Sequence, residues 1–498
     1  MTTAPLRLAA SAAALADDFA RVRADLDVPL AFPGDVDAEA TAVATRGPVL
    51  PPGAPDVPRR DARELELVTI DPAGSRDLDQ AYFAERRGSG FRVHYAIADV
   101  AAFVAPGGAL DREAFTRGET LYLPDGRAPL YPDVLGEGAA SLLPDVDRPA
   151  LLWTFDLDDA GRSVDTSCER ATVRSRAALS YPEVQVAIDA GTASASLSLL
   201  RDLGERLLDR ERERGGVSIA APSQEVVRAA DGSYSLQLEA PLPVETWNAQ
   251  VSLLTGREAA RLMGEAGVGL VRILPPPDEG MIGRLRHTAR ALGVDWPSGA
   301  TYADVVRGLR PTTRARATFL LQALHVLRGA GYAAITPGEP APIHAAVGAP
   351  YAHVTAPLRR LADRFVNEVV LAIVGGYPPS PWATDALPGL VDVMPGADRH
   401  ASAVARACVD AAETVVLADQ VGSTFPATVV DRHKRGIVVL LADVPVVVTV
   451  AGDRRALGDS VTVRLEALDA VKRTLTFSPV RTRPLGDCGG GGSPTRHS

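Results

Sequence analysis

The hydrophobic pattern of the chain changes its period twice, and this change constrains the fold more than any other feature. Between residues 64 and about 185, apolar residues form short runs bounded by turn residues, as in Phe91–Val104 and Ala150–Asp158, which is typical of β-strands. Apolar residues at helical spacing then dominate up to residue 420. Five short strand-like segments follow between residues 424 and 480. This order predicts an α+β fold with a small OB-type β-barrel at its C-terminal end.

Proline, glycine and composition divide the chain into four predicted parts. Residues 1–63 form an N-terminal arm, helical to about residue 30 and then extended through a Pro- and Gly-rich stretch. Residues 64–420 form the main domain, residues 421–483 the barrel, and residues 484–498 a disordered tail. A short hairpin is expected around Ala230–Gly232. The helices expected in the main domain are 195–214, 244–265, 278–293, 302–309, 311–330, 356–375 and 398–420.

The composition favours a cytoplasmic protein that does not span a membrane. Among the 498 residues there is no run of 18 or more apolar residues. The Ala-rich N-terminus meets Asp17 and Asp18 after a short apolar stretch, which favours an amphipathic helix over the alternative of an export signal. The cysteines Cys168, Cys408 and Cys488 are odd in number and far apart, as expected in a reducing compartment without a zinc site. The oligomeric state is left open, with a monomer expected.

The net charge of −10 disfavours a protein that covers nucleic acid with a broad basic surface. It leaves open a buried channel in which arginines meet phosphates locally. Lys434 and Lys472 are the only lysines in the sequence, so arginine would supply almost every cationic contact.

Three carboxylates stand close together where an apolar run ends, in the stretch TIDPAGSRDLDQA. Asp71, Asp77 and Asp79 can converge if the chain turns at Pro72–Gly74, since proline fixes φ and glycine permits a positive φ. Carboxylates this close repel one another unless a cation neutralises them, and oxygen clusters suit Mg²⁺ or Mn²⁺. The cluster therefore points to phosphodiester chemistry. The alternative is an ordinary solvated acidic turn.

A second stretch, YAHVTAPLRRLADRF, spans Tyr351–Phe365 and has the composition of an anion site. Pro357 is at a position favoured in the first turn of a helix, and Arg359 and Arg360 are then expected within that turn. A guanidinium and free backbone N–H groups at a helix start can bind a phosphate together. The alternative is an amphipathic helix with arginines on its surface, which the helix dipole disfavours at this end.

Taken together, these stretches resemble the ribonuclease II (RNB) family of exoribonucleases. The first is similar to the aspartate motif of that family, and YAHVTAPLRR is similar to its Tyr-x-His-Phe-Thr-Ser-Pro-Ile-Arg-Arg motif. Further blocks match in the same order: AIADVAAFVAPGG, SLLPDVDRPAL and SRAALSYPEV. The resemblance covers residues 64–375 and makes residues 64–420 an RNB catalytic domain. It also implies a short form, since residues 1–63 leave no room for the pair of N-terminal cold-shock domains usual in the family.

The resemblance implies a Mg²⁺-dependent hydrolytic 3′→5′ exoribonuclease, with Mn²⁺ as the other candidate cation, that degrades single-stranded RNA to nucleoside 5′-monophosphates. Carried over by motif, Asp79 and Arg359 are catalytic, and Tyr122 stacks on the 3′-terminal base. The implied metal ligands are Asp71, Asp77, Asp79 and Gln80. The other implied RNA-binding residues are Arg360, Arg174 and Arg176.

Several positions depart from the family pattern. Gln80 stands where the family has a fourth aspartate; its amide oxygen can reach a metal but brings no charge. Ala405 stands where related enzymes carry a glutamate, Ala356 replaces a serine, and the aromatic residue expected near Ile219 is absent. Residues 247–256 stand where the family has a segment that carries paired acidic residues and an asparagine. These changes keep open a second hypothesis, a non-catalytic RNA-binding protein on an RNB scaffold. A third hypothesis, an unrelated metal phosphoesterase acting on small substrates, would require the block matches to be accidental.

Overall fold

The computed structural model describes residues 6–7, 12–221, 223–228, 234–433, 436–442 and 446–480. The predicted fold class is confirmed: a main domain of mixed helices and strands is followed by a closed five-stranded barrel. The expected hairpin turn at Ala230–Gly232 and the expected tail 484–498 lie outside the described residues. Among the helices described, none combines the length and the apolar character that a membrane span requires.

Two helices precede the main sheet, where the sequence predicted one helix and an extended stretch. The first elements are β1 (Leu6–Arg7), α1 (Ala12–Asp25) and α2 (Gly34–Arg46). Helix α2 lies in the stretch predicted to be extended. It follows Pro33, has Asp35 and Asp37 in its first turn, where the helix dipole favours acids, and ends at Gly47 with a φ of 82°. These end signals outweigh the high proline and glycine content around it.

A five-stranded sheet forms the centre of the main domain. Its order is β2-β9-β8-β5-β4, antiparallel except for the parallel pair β2 and β9. Three two-stranded pairs accompany it: β3 with β10, β6 with β7, and β13 with β14. Strand β5 is buried almost throughout and lies between β8 and β4 in this sheet. Helix α5 packs near β4, and helix α10 packs near β9. The strands up to residue 180 are β2 (Arg60–Asp61), β3 (Thr69–Asp71), β4 (Gln80–Arg87), β5 (Gly90–Ala98), β6 (Leu121–Leu123), β7 (Gly126–Ala128), β8 (Asp147–Leu157), β9 (Ser163–Arg174) and β10 (Ala178–Ser180).

The main domain also contains helices outside this sheet. They are α3 (Ala109–Arg117), α4 (Tyr181–Asp189), α5 (Ala195–Glu213), α6 (Pro243–Ala266), α7 (Glu279–Ala291), α8 (Tyr302–Arg307), α9 (Arg314–Leu324), α10 (Leu361–Gly375), α11 (Pro381–Thr384) and α12 (Leu387–Val416). The strands among them are β11 (Ser223–Arg228), β12 (Tyr234–Glu239), β13 (Leu270–Ile273) and β14 (Gly331–Ala334). Helix α12 begins well before the expected residue 398 and continues through Pro395.

The C-terminal strands close into a barrel in the order β15-β16-β17-β19-β18. Inward and outward residues alternate along β18, as expected for a small barrel filled by side chains. Phe425 and Phe477 meet edge to face inside it, with ring centroids 5.9 Å apart. The strands are β15 (Thr424–His433), β16 (Gly436–Leu441), β17 (Val447–Ala451), β18 (Ser460–Asp469) and β19 (Thr474–Pro479).

One hydrophobic core joins the N-terminal helix, the β6–β7 hairpin and the barrel. Buried residues from these three elements and from α12 belong to a single cluster. The members from α1 and the hairpin are Leu15, Phe19, Val22, Leu121, Leu123 and Ala128. The N-terminal arm is therefore part of the folded body rather than a tether.

A buried ionic network connects the sheet to α10. Arg170 on β9 donates to Asp99 at 2.6 Å and to both oxygens of Glu368 on α10 at 2.5 and 2.7 Å. Arg59 also pairs with Asp99, at 2.8 Å. All four side chains are largely excluded from solvent, so each charge depends on the others for the solvation it has lost.

We expect Arg170→Met to destabilise the protein by about 3–5 kcal/mol, because it leaves the buried Glu368 without its partner. Arg174→Met is the matched control: it removes a half-exposed arginine of the same strand and should cost less than about 1 kcal/mol. Urea unfolding followed by tryptophan fluorescence measures both. Equal stability of the two variants would contradict the account of this network.

Candidate active site

The acidic stretch leaves one strand and enters the next. Asp71 is the last residue of β3, which pairs in parallel with β10, and Gln80 is the first residue of β4. The chain turns between them as predicted, with Gly74 at a φ of 84°. Because both strands belong to the body of the main domain, the carboxylates of this loop are held by a rigid frame.

The second stretch approaches the same place, but its arginines precede the helix instead of lying in its first turn. Helix α10 begins at Leu361, and Arg360 has extended backbone angles. Backbone hydrogen bonds to a neighbouring segment explain the difference: Thr120 N–H donates to the Arg359 carbonyl and Leu361 N–H to that of Gly118, both at 3.0 Å. The expected placement of Arg359 and Arg360 within the first helical turn was therefore wrong.

Asp79 joins the two stretches. One carboxylate oxygen accepts the backbone N–H of Leu358 at 2.7 Å, and the other lies 3.1 Å from Arg359 Nε. The side chain is buried. Burial raises the pKa of Asp79 to about 7, although the attraction of Arg359 opposes this rise. Asp79 is therefore a buried carboxyl group at the centre of the site, and its ionised form is disfavoured there.

The two arginines differ in their freedom to meet a ligand. Arg359 is 41% exposed beyond its contact with Asp79. Arg360 is 17% exposed and donates to Asp363 at 2.9 Å, and the same Asp363 oxygen accepts the Ala356 N–H at 2.8 Å. Arg359 is thus available for an anion, while Arg360 and Asp363 hold the turn that presents it.

Asp77 is held by two residues of the β6–β7 hairpin. The Tyr122 hydroxyl donates to it at 2.8 Å, and Arg127 lies 3.5 Å from its other oxygen. The Tyr122 side chain is otherwise 51% exposed, so its ring is open to a stacking partner. The predicted stacking residue and one predicted metal ligand are therefore in direct contact.

The fit of the acidic residues to a cation is mixed. Within the described part of the chain, no three His, Cys, Asp or Glu side chains are grouped closely enough to enclose a metal. Asp71 nevertheless has one buried carboxylate oxygen without a hydrogen-bond partner of normal geometry among the described residues. Burial raises the pKa of Asp71 to about 6, and the charge of Asp77 adds to this rise. A buried, unsatisfied carboxylate beside a second one is a donor set that fits a hard divalent cation.

Gln80 is already engaged. Its amide oxygen accepts a hydrogen bond from the hydroxyl of Tyr95, a fully buried residue on β5. A metal contact by Gln80 stays a prediction, and it would have to use the second lone pair of that oxygen.

Other residues from the sequence analysis lie elsewhere. Arg174, the last residue of β9, pairs with Asp147 on the neighbouring strand, and Arg176 donates to the carbonyl of Arg63, so both side chains already have partners. Ile219 packs against the core formed by α7, α8 and α9. Ala405 is exposed on α12. An RNA contact by Arg174 or Arg176 remains a prediction.

A cavity of about 430 Å³ adjoins the segment that carries Arg359. The backbone N–H of Arg272 donates to the carbonyl of Tyr351. Tyr351 and His353 both lie on the cavity wall. Its described lining combines apolar and polar side chains: Val217, Ser218, Leu253, Arg272, Leu274, Leu327, Ala330, His344, Ala346, Val347, Tyr351 and His353. A cavity of this size and mixed character can hold a nucleotide-sized group.

Comparison with known proteins decides the family. A model described as the RNB domain matches residues 59–376, and one described as the RNase II-type exonuclease C-terminal S1 domain matches residues 423–480. The chain belongs to the RNB family. The resemblance stated from the sequence motifs is thereby confirmed, and the site described above lies within the RNB domain.

Individual relatives agree with this assignment. Ribonuclease R of Escherichia coli (strain K12) is 28% identical over 479 residues, covering 84% of this chain and 57% of that protein. The chain therefore spans little more than half the length of that relative. In fold, Mycoplasma genitalium RNase R in complex with ribose-methylated single-stranded RNA matches 94% of this chain and 78% of that one, with a TM-score of 0.81 and 18% identity. Yeast Ssd1, a pseudonuclease, matches 87% and 59%, with a TM-score of 0.65 and 15% identity.

The residues that support the RNB site were not predicted from the sequence. The Pro124–Gly126 turn is a hairpin signal that would have placed Arg127 opposite Tyr122. Asp363, three residues after Arg360 in a helical pattern, was a candidate partner by spacing. No sequence signal indicates that the Leu358 N–H meets Asp79, because that contact depends on tertiary structure.

We expect Asp79→Asn to unfold at the same temperature as the wild type or higher. The folded-state pKa of Asp79 lies above its ordinary value, so its ionisation at neutral pH opposes folding, and an uncharged amide removes that cost. Asp363→Asn is the comparison: Asp363 is buried and bonded to Arg360, so losing its charge should lower the melting temperature. Calorimetric melting distinguishes the two variants, and a large drop in the melting temperature of Asp79→Asn would contradict the inferred cost of ionising Asp79.

Proposed function

We propose that the chain is a hydrolytic 3′→5′ exoribonuclease that acts on single-stranded RNA and releases nucleoside 5′-monophosphates. The observation that carries this proposal is the contact of Asp79 with the Leu358 N–H and Arg359, which unites the acidic stretch and the arginine stretch in one site of an RNB domain. An acidic cluster alone suits many metal sites. The same cluster beside a half-exposed arginine suits a phosphodiester.

Each residue would act by its position. Arg359 exchanges its contact with Asp79 for the scissile phosphate and offsets the charge that develops there. Asp363, through Arg360 and the Ala356 N–H, keeps the backbone turn in place while Arg359 moves. Tyr122 offers its exposed ring to the terminal base, and such stacking tolerates any base.

Asp71, Asp77 and Asp79 would hold a divalent cation, Mg²⁺ or Mn²⁺, with Asp71 as the ligand whose oxygen is least satisfied. When bound, the cation supplies Lewis-acid activation of water and neutralises phosphate charge. The cation would also relieve the repulsion between Asp71 and Asp77.

The rest of the strand would enter along the cavity beside Tyr351 and His353. Arg272, which stacks on Tyr332 and pairs with Asp398, lies on the cavity wall, and its guanidinium would donate hydrogen bonds to the RNA backbone there. This path keeps the contact with RNA internal, which reconciles RNA binding with a net charge of −10.

The direct test is digestion of 5′-labelled single-stranded RNA with Mg²⁺. We expect a ladder that shortens from the 3′ end, and loss of at least about a hundredfold in rate for Asp79→Asn. Addition of EDTA should stop the wild-type reaction, and Mg²⁺ in excess should restore it.

Asp165→Asn is the matched control, because Asp165 is an exposed acid on β9 outside the site and its loss should leave the rate unchanged. The proposal fails if wild type and Asp79→Asn give the same pattern, or if products arise from internal cleavage.

A second candidate function is RNA binding without turnover. Gln80 removes one charge from the acidic stretch, and the fold also resembles that of a pseudonuclease. Gln80→Asp separates the two functions. An active wild type that gains rate at limiting Mg²⁺ with this change supports the enzyme. Activity that appears only in Gln80→Asp, with RNA binding in both proteins, supports the binding function.

A further inference from the structure

The β6–β7 hairpin has one polar and one apolar face. Tyr122 and Arg127 are directly paired across its two strands, and both reach Asp77. Side chains at directly opposed positions of a hairpin point to the same face. Tyr122 and Arg127 therefore contact Asp77 together, from one face of the hairpin. The Asp77 side chain is mostly buried, and one of its carboxylate oxygens contacts Tyr122 while the other contacts Arg127.

The opposite face of the hairpin is set in the core shared with the N-terminal helix and the barrel. Leu121, Leu123 and Ala128 are buried in that core. At the hairpin turn, Asp125 forms an ion pair with Arg23 of α1, and both side chains are largely buried. The orientation of the polar face thus depends on α1, far from the acidic stretch in sequence.

We propose that the β6–β7 hairpin is a positioning element that orients Asp77 toward the cation site. We further propose that α1 holds the hairpin in place through Arg23. This inference rests on the proposed function for the role of Asp77 toward a cation. Tyr122 then has two separable roles: its ring faces the RNA base, and its hydroxyl orients a carboxylate.

A consequence is that base stacking and cation binding are linked through one side chain. A base that settles on the Tyr122 ring restricts the rotation of the phenol, and so holds the hydroxyl toward Asp77. Arg127 adds a positive charge on the other oxygen and is itself anchored by Asp133 and Glu137. The two contacts therefore limit the Asp77 side chain to few rotamers, which lowers the entropy cost of binding a cation.

Tyr122→Phe tests the hydroxyl alone, because the ring stays. We expect the Mn²⁺ dissociation constant measured by titration calorimetry to rise about tenfold, the effect of losing one hydrogen bond to a charged group. The KM for RNA at saturating cation should change by less than about twofold, since stacking is retained. Tyr122→Leu should raise both quantities, and Tyr377→Phe, which alters a tyrosine outside the hairpin, should change neither.

The Arg23–Asp125 pair tests the role of the N-terminal helix. Arg23→Gln and Asp125→Asn should each weaken Mn²⁺ binding by about two- to fivefold, without contact between either residue and the site. The exchange of the two charges, Arg23→Asp with Asp125→Arg, should restore most of the affinity if the ion pair is what matters. Melting temperatures show whether each variant is folded.

Unchanged Mn²⁺ affinity in Tyr122→Phe, or a wild type that binds no Mn²⁺, overturns the inference. A wild type that binds Mn²⁺, loses affinity in Tyr122→Phe and yet leaves RNA intact overturns the proposed function while the positioning role stands. A wild type that degrades RNA with the same cation requirement in every hairpin variant overturns the positioning role alone.

Discussion

The hydrogen bond from the Leu358 N–H to Asp79 is the contact on which the site depends. It joins residues 279 positions apart at 2.7 Å, and it brings Arg359 against the same carboxylate. It can form only when the β3–β4 loop, the 118–120 segment and the start of α10 are all in place. The site is therefore assembled by the completed fold, and no local segment contains it.

The site is costly for stability, and the surrounding structure offsets that cost. Burial raises the pKa of both Asp71 and Asp79, so their ionised forms are disfavoured where the proposed chemistry needs them. Behind them, the ionic network of Arg170 and Glu368 anchors α10 to the sheet. A frame held in this way can keep carboxylates near one another before any cation or phosphate arrives, as preorganised sites require.

Much of the architecture could be predicted from the sequence, because it follows from local patterns. Five short strand-like segments between residues 424 and 480 predicted the barrel, and Asp79 of the first motif is in contact with Arg359 of the second. Local patterns failed where a longer-range contact decides the backbone. Residues 356–360 were predicted to begin a helix, yet 357–359 form a separate turn and Arg360 is extended. Hydrogen bonds from Thr120 N–H to the Arg359 carbonyl and from Leu361 N–H to the Gly118 carbonyl hold this segment against its neighbour. Nothing in the sequence indicates that Arg174 pairs with Asp147 on the neighbouring strand. The contact of Tyr122 with Asp77 likewise needed the hairpin to be docked.

We propose that Asp79 and Arg359 act as one unit on the scissile phosphate. This coupling can be measured by a double-mutant cycle of single-turnover cleavage rates, with Asp79→Asn, Arg359→Gln and the double variant. We expect the double variant to be no slower than the slower single variant, because either change alone disables the unit. Rate losses that multiply would show two independent contributions and contradict this coupling.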